Sequence, residues 1–275
     1  MRIDSHQHFW RYAPDQYPWI QPNWPLRRDF LPAELEPLLA SARLDGCIAV
    51  QARQSLEESR WLLELAEESP IIKGVVGWVD LRSPEVSKQL EKFAPHPKFV
   101  GVRHVVQDEP DDNFLLGADF QRGLASLKSF GLSYDLLLFP RQLPAAIKLV
   151  ETFPDQPFVL DHLAKPHIKD GRLDPWREHI EMLASFPNCC CKVSGLVTEA
   201  DWKNWQPTDF APYLDVVVNS FGVDRLMYGS DWPVCLLAGN YERVHGLAAA
   251  FAKQFSKGDQ AKFFGGNAAK FYAVR

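Results

Sequence analysis

The chain has no run of about 18 consecutive apolar residues, so no part of it reads as a membrane span. Its opening residues, MRIDSHQHFW, are polar and lack the apolar centre of a secretory leader. No CxxC pair occurs, which argues against a thiolate zinc site. The five cysteines are Cys47, Cys189, Cys190, Cys191 and Cys235, an odd number with three adjacent. Adjacent strand residues face opposite ways, so this triplet is not a disulfide framework. Thiols without a leader point to a reducing cytoplasm. Excess positive charge is absent too. A net charge of -5 and a pI near 5.9 argue against nucleic acid or an anionic membrane as partner. There is no P-loop, no GxSxG elbow and no HExxH helix, so a serine nucleophile and a helix-borne zinc site are set aside.

What remains is a repeated unit. Short apolar strands alternate with capped amphipathic helices. The strand candidates are 2–8, 46–52, 71–80, 99–106, 133–139, 157–162, 189–195 and 225–230. Helical stretches lie near 32–44, 55–69, 84–94, 119–130, 144–152, 175–186, 208–221 and 240–255. Several open on a proline suited to a first helical turn, as at Leu31-Pro32 and Ser83-Pro84. Such alternation implies a parallel sheet covered by helices. Eight units in 275 residues predict an α/β fold, a (β/α)8 TIM barrel, as one domain over 1–275. An open doubly wound sheet would carry a glycine-rich turn after its first strand, and HQHFW stands there instead. An aromatic loop at about 9–30 follows the first strand.

In such a barrel the active site lies at the C-terminal ends of the strands. Asp4, His6 and His8 are spaced two apart on the first strand and would share a face. Two such imidazoles can converge on one ion or one carbonyl oxygen. Asp231 ends the eighth strand, which neighbours the first in a closed barrel, and so faces the same mouth. The sixth strand ends in DHLAKP, offering His162 as a third imidazole and Lys165 as a partner for an anionic or carbonyl oxygen. On the fourth strand Arg103 and His104 are adjacent, so only one of them points inward. We take Arg103, as a ligand contact or as a structural ion pair. The second strand ends in the polar tip Gln51-Ala52-Arg53.

Together the segments DSHQHFW, GVRH, DHLAKP, CKVSGL, YGSDWPV and FFGGNAAKFY resemble the amidohydrolase superfamily. They run in order across essentially the whole chain. They are most similar to its lactonase branch, which holds sugar lactonases and 2-pyrone-4,6-dicarboxylate lactonases. DSHQHFW and DHLAKP point to the sugar side. The resemblance implies hydrolysis of a sugar-acid lactone, such as an L-fucono-lactone or a close aldonolactone. It implies that His6, His8, His162 and Asp231 are catalytic, with Asp231 the general base. The same four would ligate a metal, either as one zinc ion or not at all, since some members of this branch work without metal. The chain lacks a lysine after strand four and a histidine on strand five, which argues against a two-metal site.

An aldonolactone is neutral and polyhydroxylated. Aromatic faces can stack on it, and from the aromatics we select Trp24 and Trp232. Arg103, Lys165 and Arg53 would contact its oxygens. A pyrone dicarboxylate would need a larger arginine cluster. The competing readings are a zinc decarboxylase or hydratase, a pyrone-dicarboxylate lactonase and a non-catalytic sugar-binding barrel. The last would lack one of the four site residues. The partner is thus a small sugar lactone, and a homo-oligomer is compatible with the composition.

Overall fold

The computed structural model describes residues 1–274. Eight strands form one sheet in sequential order, each parallel to the next: β1 (Ile3–Gln7), β2 (Gly46–Val50), β3 (Ile72–Gly77), β4 (Phe99–Val105), β5 (Ser133–Leu137), β6 (Phe158–Leu160), β7 (Cys189–Val193) and β8 (Leu226–Tyr228). Between and after them lie α1 (Pro32–Ser41), α2 (Leu56–Glu68), α3 (Val86–Phe93), α4 (Ala118–Leu127), α5 (Leu143–Thr152), α6 (Trp176–Ala184), α7 (Pro207–Phe221) and α8 (Tyr241–Ala252). The sheet closes where β8 meets β1. His8 N–H donates to Trp232 O at 2.7 Å, Asp231 N–H to His6 O at 2.8 Å, and Ser5 Oγ to Tyr228 O at 2.6 Å. This is the (β/α)8 barrel that the alternation predicts. The elements fall within the expected segments to within a residue and are mostly shorter, because the strand tips leave the ladder to carry side chains into the mouth.

Inward residues of the lower strands form a small apolar floor: Ile3, Ile48, Val76, Val100, Val159 and Met227. The larger core fills the layer between sheet and helices. Two short helices after α8 were not expected. They are α9 (Lys257–Ala261) and α10 (Asn267–Phe271), joined by a π-helical turn. They seal the bottom. Gly265, at φ 149°, permits this, because a Cβ there would lie 2.4 Å from the Ile3 amide nitrogen. Tyr272 then enters the floor from below.

β1 corrects one expectation. Its register against β2 shifts between Asp4 and Gln7, so a bulge breaks the two-residue period. Asp4 therefore does not join His6 and His8. It is fully buried toward α8, accepting from Tyr241 Oη at 3.0 Å and from the Ser230 amide at 2.9 Å. Burial raises its pKa to about 6, against the lowering effect of its bonds to Ser230.

Candidate active site

At the mouth of the barrel three imidazoles surround one carboxylate oxygen. From Asp231 Oδ1, the Nε2 atoms of His6, His8 and His162 lie at 3.8, 3.3 and 3.8 Å. Each ring is held by its other nitrogen. His8 Nδ1 donates to Val50 O at 2.8 Å. His162 Nδ1 meets Ser194 Oγ at 2.9 Å. His6 Nδ1 lies 3.2 Å from Asp161 Oδ1. Asp231 (φ 58°) and His162 (φ 54°) are both left-handed, and His162 opens a run of four such residues ending at Lys165. Non-glycine residues in this region carry strain of about 1–3 kcal/mol, which is tolerated where it aims a side chain. Gly195 makes room for the imidazole. A Cβ on it would stand 2.4 Å from His162 Nδ1.

His6 also has a donor on each side. Lys192 Nζ is 3.3 Å from its Nδ1, and Arg103 Nη1 is 3.2 Å from its Nε2. A neutral imidazole offers one lone pair, so only one of these cations can donate to it. Asp161 is the acceptor that places the proton on Nδ1. That leaves the Nε2 lone pair of His6 to accept from Arg103, with the ionised Asp231 3.8 Å away.

Beneath the mouth lies a column of buried charge. Arg103 Nη1 and Lys192 Nζ both lie 3.0 Å from Asp161, and Lys192 also donates to Asp135 at 2.5 Å. Tyr272 Oη donates to Asp135 from below at 2.8 Å. Asp135, Asp161 and Lys192 are fully buried. Burial raises Asp135 to a pKa of about 6 against the pull of Lys192. Burial also pushes Asp161 upward, but Lys192, His6 and Arg103 outweigh it and hold it well below the usual carboxylate range. Burial depresses His6 well below an ordinary imidazole and takes His162 to about 4. Asp231 is raised by burial but lowered more by His162 and His8, so it stays ionised.

Two buried cations thus face three buried carboxylates around the three imidazoles. The deficit is one positive charge. His6, His8 and Asp231 present ligand atoms within 4.8 Å of one another. Imidazole nitrogens with a carboxylate suit zinc. The donor chemistry fits one divalent ion, and the deficit has the sign that a cation would offset.

Above this floor opens a cleft of about 700 Å³. Of the residues singled out from sequence, His8, His162, Asp231, Arg103, Arg53, Lys165 and Trp24 line it. Arg103 lines the cleft and is also the ion-pair partner of Asp161. His104 faces outward, stacked on Phe114 at 4.7 Å. Lys165 lies 3.8 Å from Glu199, another lining residue. Trp232 is a correction. It is 2% exposed and packs edge-on against Phe9 and Phe30 at the root of the aromatic loop, outside the cleft wall. The sequence reading did not select Trp19, Trp202 and Glu199, nor the Asp135–Lys192–Asp161 column. A signal for the column was available: charged residues inside the apolar strands SYDLL and CCCKV.

Several known proteins resemble this chain along its length. The amidohydrolase family profile matches residues 3–274. An L-fucono-1,5-lactonase of Burkholderia multivorans is 43% identical over 100% of this chain and 96% of its own. An L-fucono-1,5-lactonase of Burkholderia ambifaria is 37% identical over 99% of this chain and 96% of its own. A crystal structure of a Burkholderia multivorans amidohydrolase with bound zinc superposes with a TM-score of 0.96 at 43% identity, covering all of both chains. With a strand-one histidine pair, a strand-six histidine and a strand-eight aspartate converging at the barrel mouth, the chain belongs to the amidohydrolase family.

Proposed function

We propose that this enzyme is a sugar lactonase that opens L-fucono-1,5-lactone, or an aldonolactone close to it, to the free acid. The observation that carries the reading is the set of three imidazoles around Asp231 at the floor of a cleft walled by tryptophans. The two lactonases that resemble it over their full length support it. A neutral lactone suits a cleft whose cations are balanced by carboxylates, as Lys165 is by Glu199 and Arg103 by Asp161. No helix among the described residues is long and apolar enough to cross a membrane. Five free cysteines suit a reducing cytoplasm as its compartment.

Hydrolysis requires a nucleophilic water, a polarised carbonyl and a proton for the departing alkoxide. The water oxygen bonds to the acyl carbon and the bond from acyl carbon to ring oxygen breaks. Asp231 Oδ1 takes the proton from water and returns it to the ring oxygen. A carboxylate held below its ordinary range is a weak base, so the water must be made more acidic. A divalent ion held by His6, His8, His162 and Asp231 would lower the pKa of the attacking water and polarise the carbonyl. Asp161 and Lys192 keep His6 in one orientation. Arg103 is the fixed cation of the floor. Lys165, Arg53 and Trp24 would hold the sugar against it.

The test is a pH-indicator assay of L-fucono-, L-rhamnono- and L-galactono-lactones, with and without chelator. Rapid acid release from one stereochemical set is expected. Activity that persists after verified metal removal would assign carbonyl activation to the side chains alone. No acid from any lactone would overturn the reading in favour of a decarboxylase or hydratase.

A further inference from the structure

The cleft is larger than one sugar lactone requires. A six-carbon deoxy lactone has about eleven heavy atoms. Even at the loose spacing of liquid water, roughly 30 Å³ per heavy atom, it would fill about 330 Å³. That is under half of the 700 Å³ available. The catalytic residues occupy the floor. The remaining space lies toward the rim, and its walls are those of a carbohydrate site.

Trp202 is 37% exposed, one of three large hydrophobic side chains left in solvent among the described residues. It is held there by design of its contacts. Its Nε1 donates to Thr198 O at 2.8 Å and its ring meets Trp24 edge-on at 5.6 Å. A fixed, solvent-facing indole at a cleft rim offers a flat face for the C–H side of a pyranose. Three side chains that line the same cleft each carry a polar atom without a partner. Trp19 Nε1, Arg53 Nε and Gln107 Oε1 are buried without a hydrogen-bond partner among the described residues. Such atoms are few in native proteins and each costs stability unless a water or ligand meets it. None of the three belongs to the histidine–aspartate floor.

We propose that the outer half of the cleft is a second sugar subsite, and that the enzyme also opens aldonolactones carrying a glycosyl substituent. This rests on the lactonase reading and extends its substrate class to disaccharide-derived lactones. The chemistry is unchanged. Water adds across the bond between acyl carbon and ring oxygen, giving one carboxylic acid and one hydroxyl, and the glycosidic bond stays intact. Trp202 would stack on the outer ring, while Trp19 and Gln107 would meet its hydroxyls, beyond the Trp24 and Arg53 that hold the lactone.

The experiment compares L-fucono-1,5-lactone with its O-galactosyl derivatives, linked in turn through each of the three ring hydroxyls. At least one derivative should reach a kcat/KM within tenfold of the plain lactone. The ratio of that kcat/KM to the plain value should fall tenfold or more in Trp202→Ala, and also fall in Gln107→Ala. Refusal of all three derivatives by enzyme that opens the plain lactone would overturn the subsite and leave the lactonase reading standing. An unchanged ratio in both variants would also overturn it. Inactivity toward the plain lactone as well would remove the lactonase reading and the subsite with it.

Discussion

Glu58 ties the aromatic loop to the tip of β2, and its charge state can be read as stability. It is 1% exposed. Its Oε2 accepts the amides of Ala52 and Arg53 at 3.0 and 2.9 Å, and its Oε1 accepts from Tyr17 Oη at 3.1 Å. Burial nonetheless raises its pKa from 4.5 to about 7, outweighing those bonds and the nearby Arg53 charge. The folded state therefore holds the proton more tightly than the unfolded chain. Stability from this group is fully present below pH 4.5 and is lost as pH rises through 7. At about 1.4 kcal/mol per pKa unit, the ionised carboxylate costs the fold about 3 kcal/mol above pH 7. Glu58→Gln keeps the geometry, since the amide oxygen can accept both backbone amides and the NH2 can donate to Tyr17. The variant should match the parent at pH 5 and exceed it by about 3 kcal/mol at pH 8.5. At about 2 °C per kcal/mol, that is a gain of about 6 °C in Tm. Thermal unfolding at the two pH values is the assay. Glu58→Ala serves as the control, since it should lose stability at both by orphaning two backbone amides. An equal Tm difference between Gln variant and parent at pH 5 and 8.5 would refute the reasoning.

Asp231→Asn should fold normally but hydrolyse lactone about 100-fold more slowly or worse, as expected for loss of a positioned base. Near-parental turnover would remove Asp231 from the mechanism. Trp24→Ala should raise KM more than it lowers kcat, the pattern of lost ground-state binding, measured by initial rates over a range of lactone concentrations. Lys192→Met should cost about 3–5 kcal/mol in denaturant unfolding, because it leaves Asp135 and Asp161 without their shared cation. Zinc titrated calorimetrically should bind with little proton competition from His6 and His162, whose folded pKa values are depressed. Affinity should fall by at most about fivefold from pH 7.5 to 6, whereas three ordinary imidazoles would lose about fiftyfold.

The eight units could be read from the sequence because parallel barrel strands are buried on both faces and stand out as apolar runs between amphipathic helices. The four residues at the mouth were legible because polar side chains end otherwise apolar strands. Period alone failed at β1. The bulge that sends Asp4 outward is a backbone event with no compositional mark. Trp232 was misread for a related reason. Its position after Asp231 places it near the mouth, but φ 58° at Asp231 turns the chain, and the indole goes under the loop instead. Lys192 was hidden by its neighbours. In CCCKV three apolar cysteines precede it, yet the lysine between them and the Ser194 tip is the residue that points into the barrel. The roles of Tyr272 and Gly265 depend on contacts with segments more than 130 residues away, which no local pattern encodes.

The contact of Tyr272 with Asp135 also sets a clock on synthesis. The two residues are 137 apart. At roughly 5–20 residues per second, the ribosome makes Asp135 about 7–27 s before its phenolic partner exists. The seam waits longer still, since Ser5 and Tyr228 are 223 residues apart. Both the floor and the seam of the barrel are therefore completed by residues translated well after the strands they close. Every nascent chain passes through a stage in which most of the sheet has emerged but neither closure can form. The working barrel therefore cannot close until Tyr228 and then Tyr272 have been made.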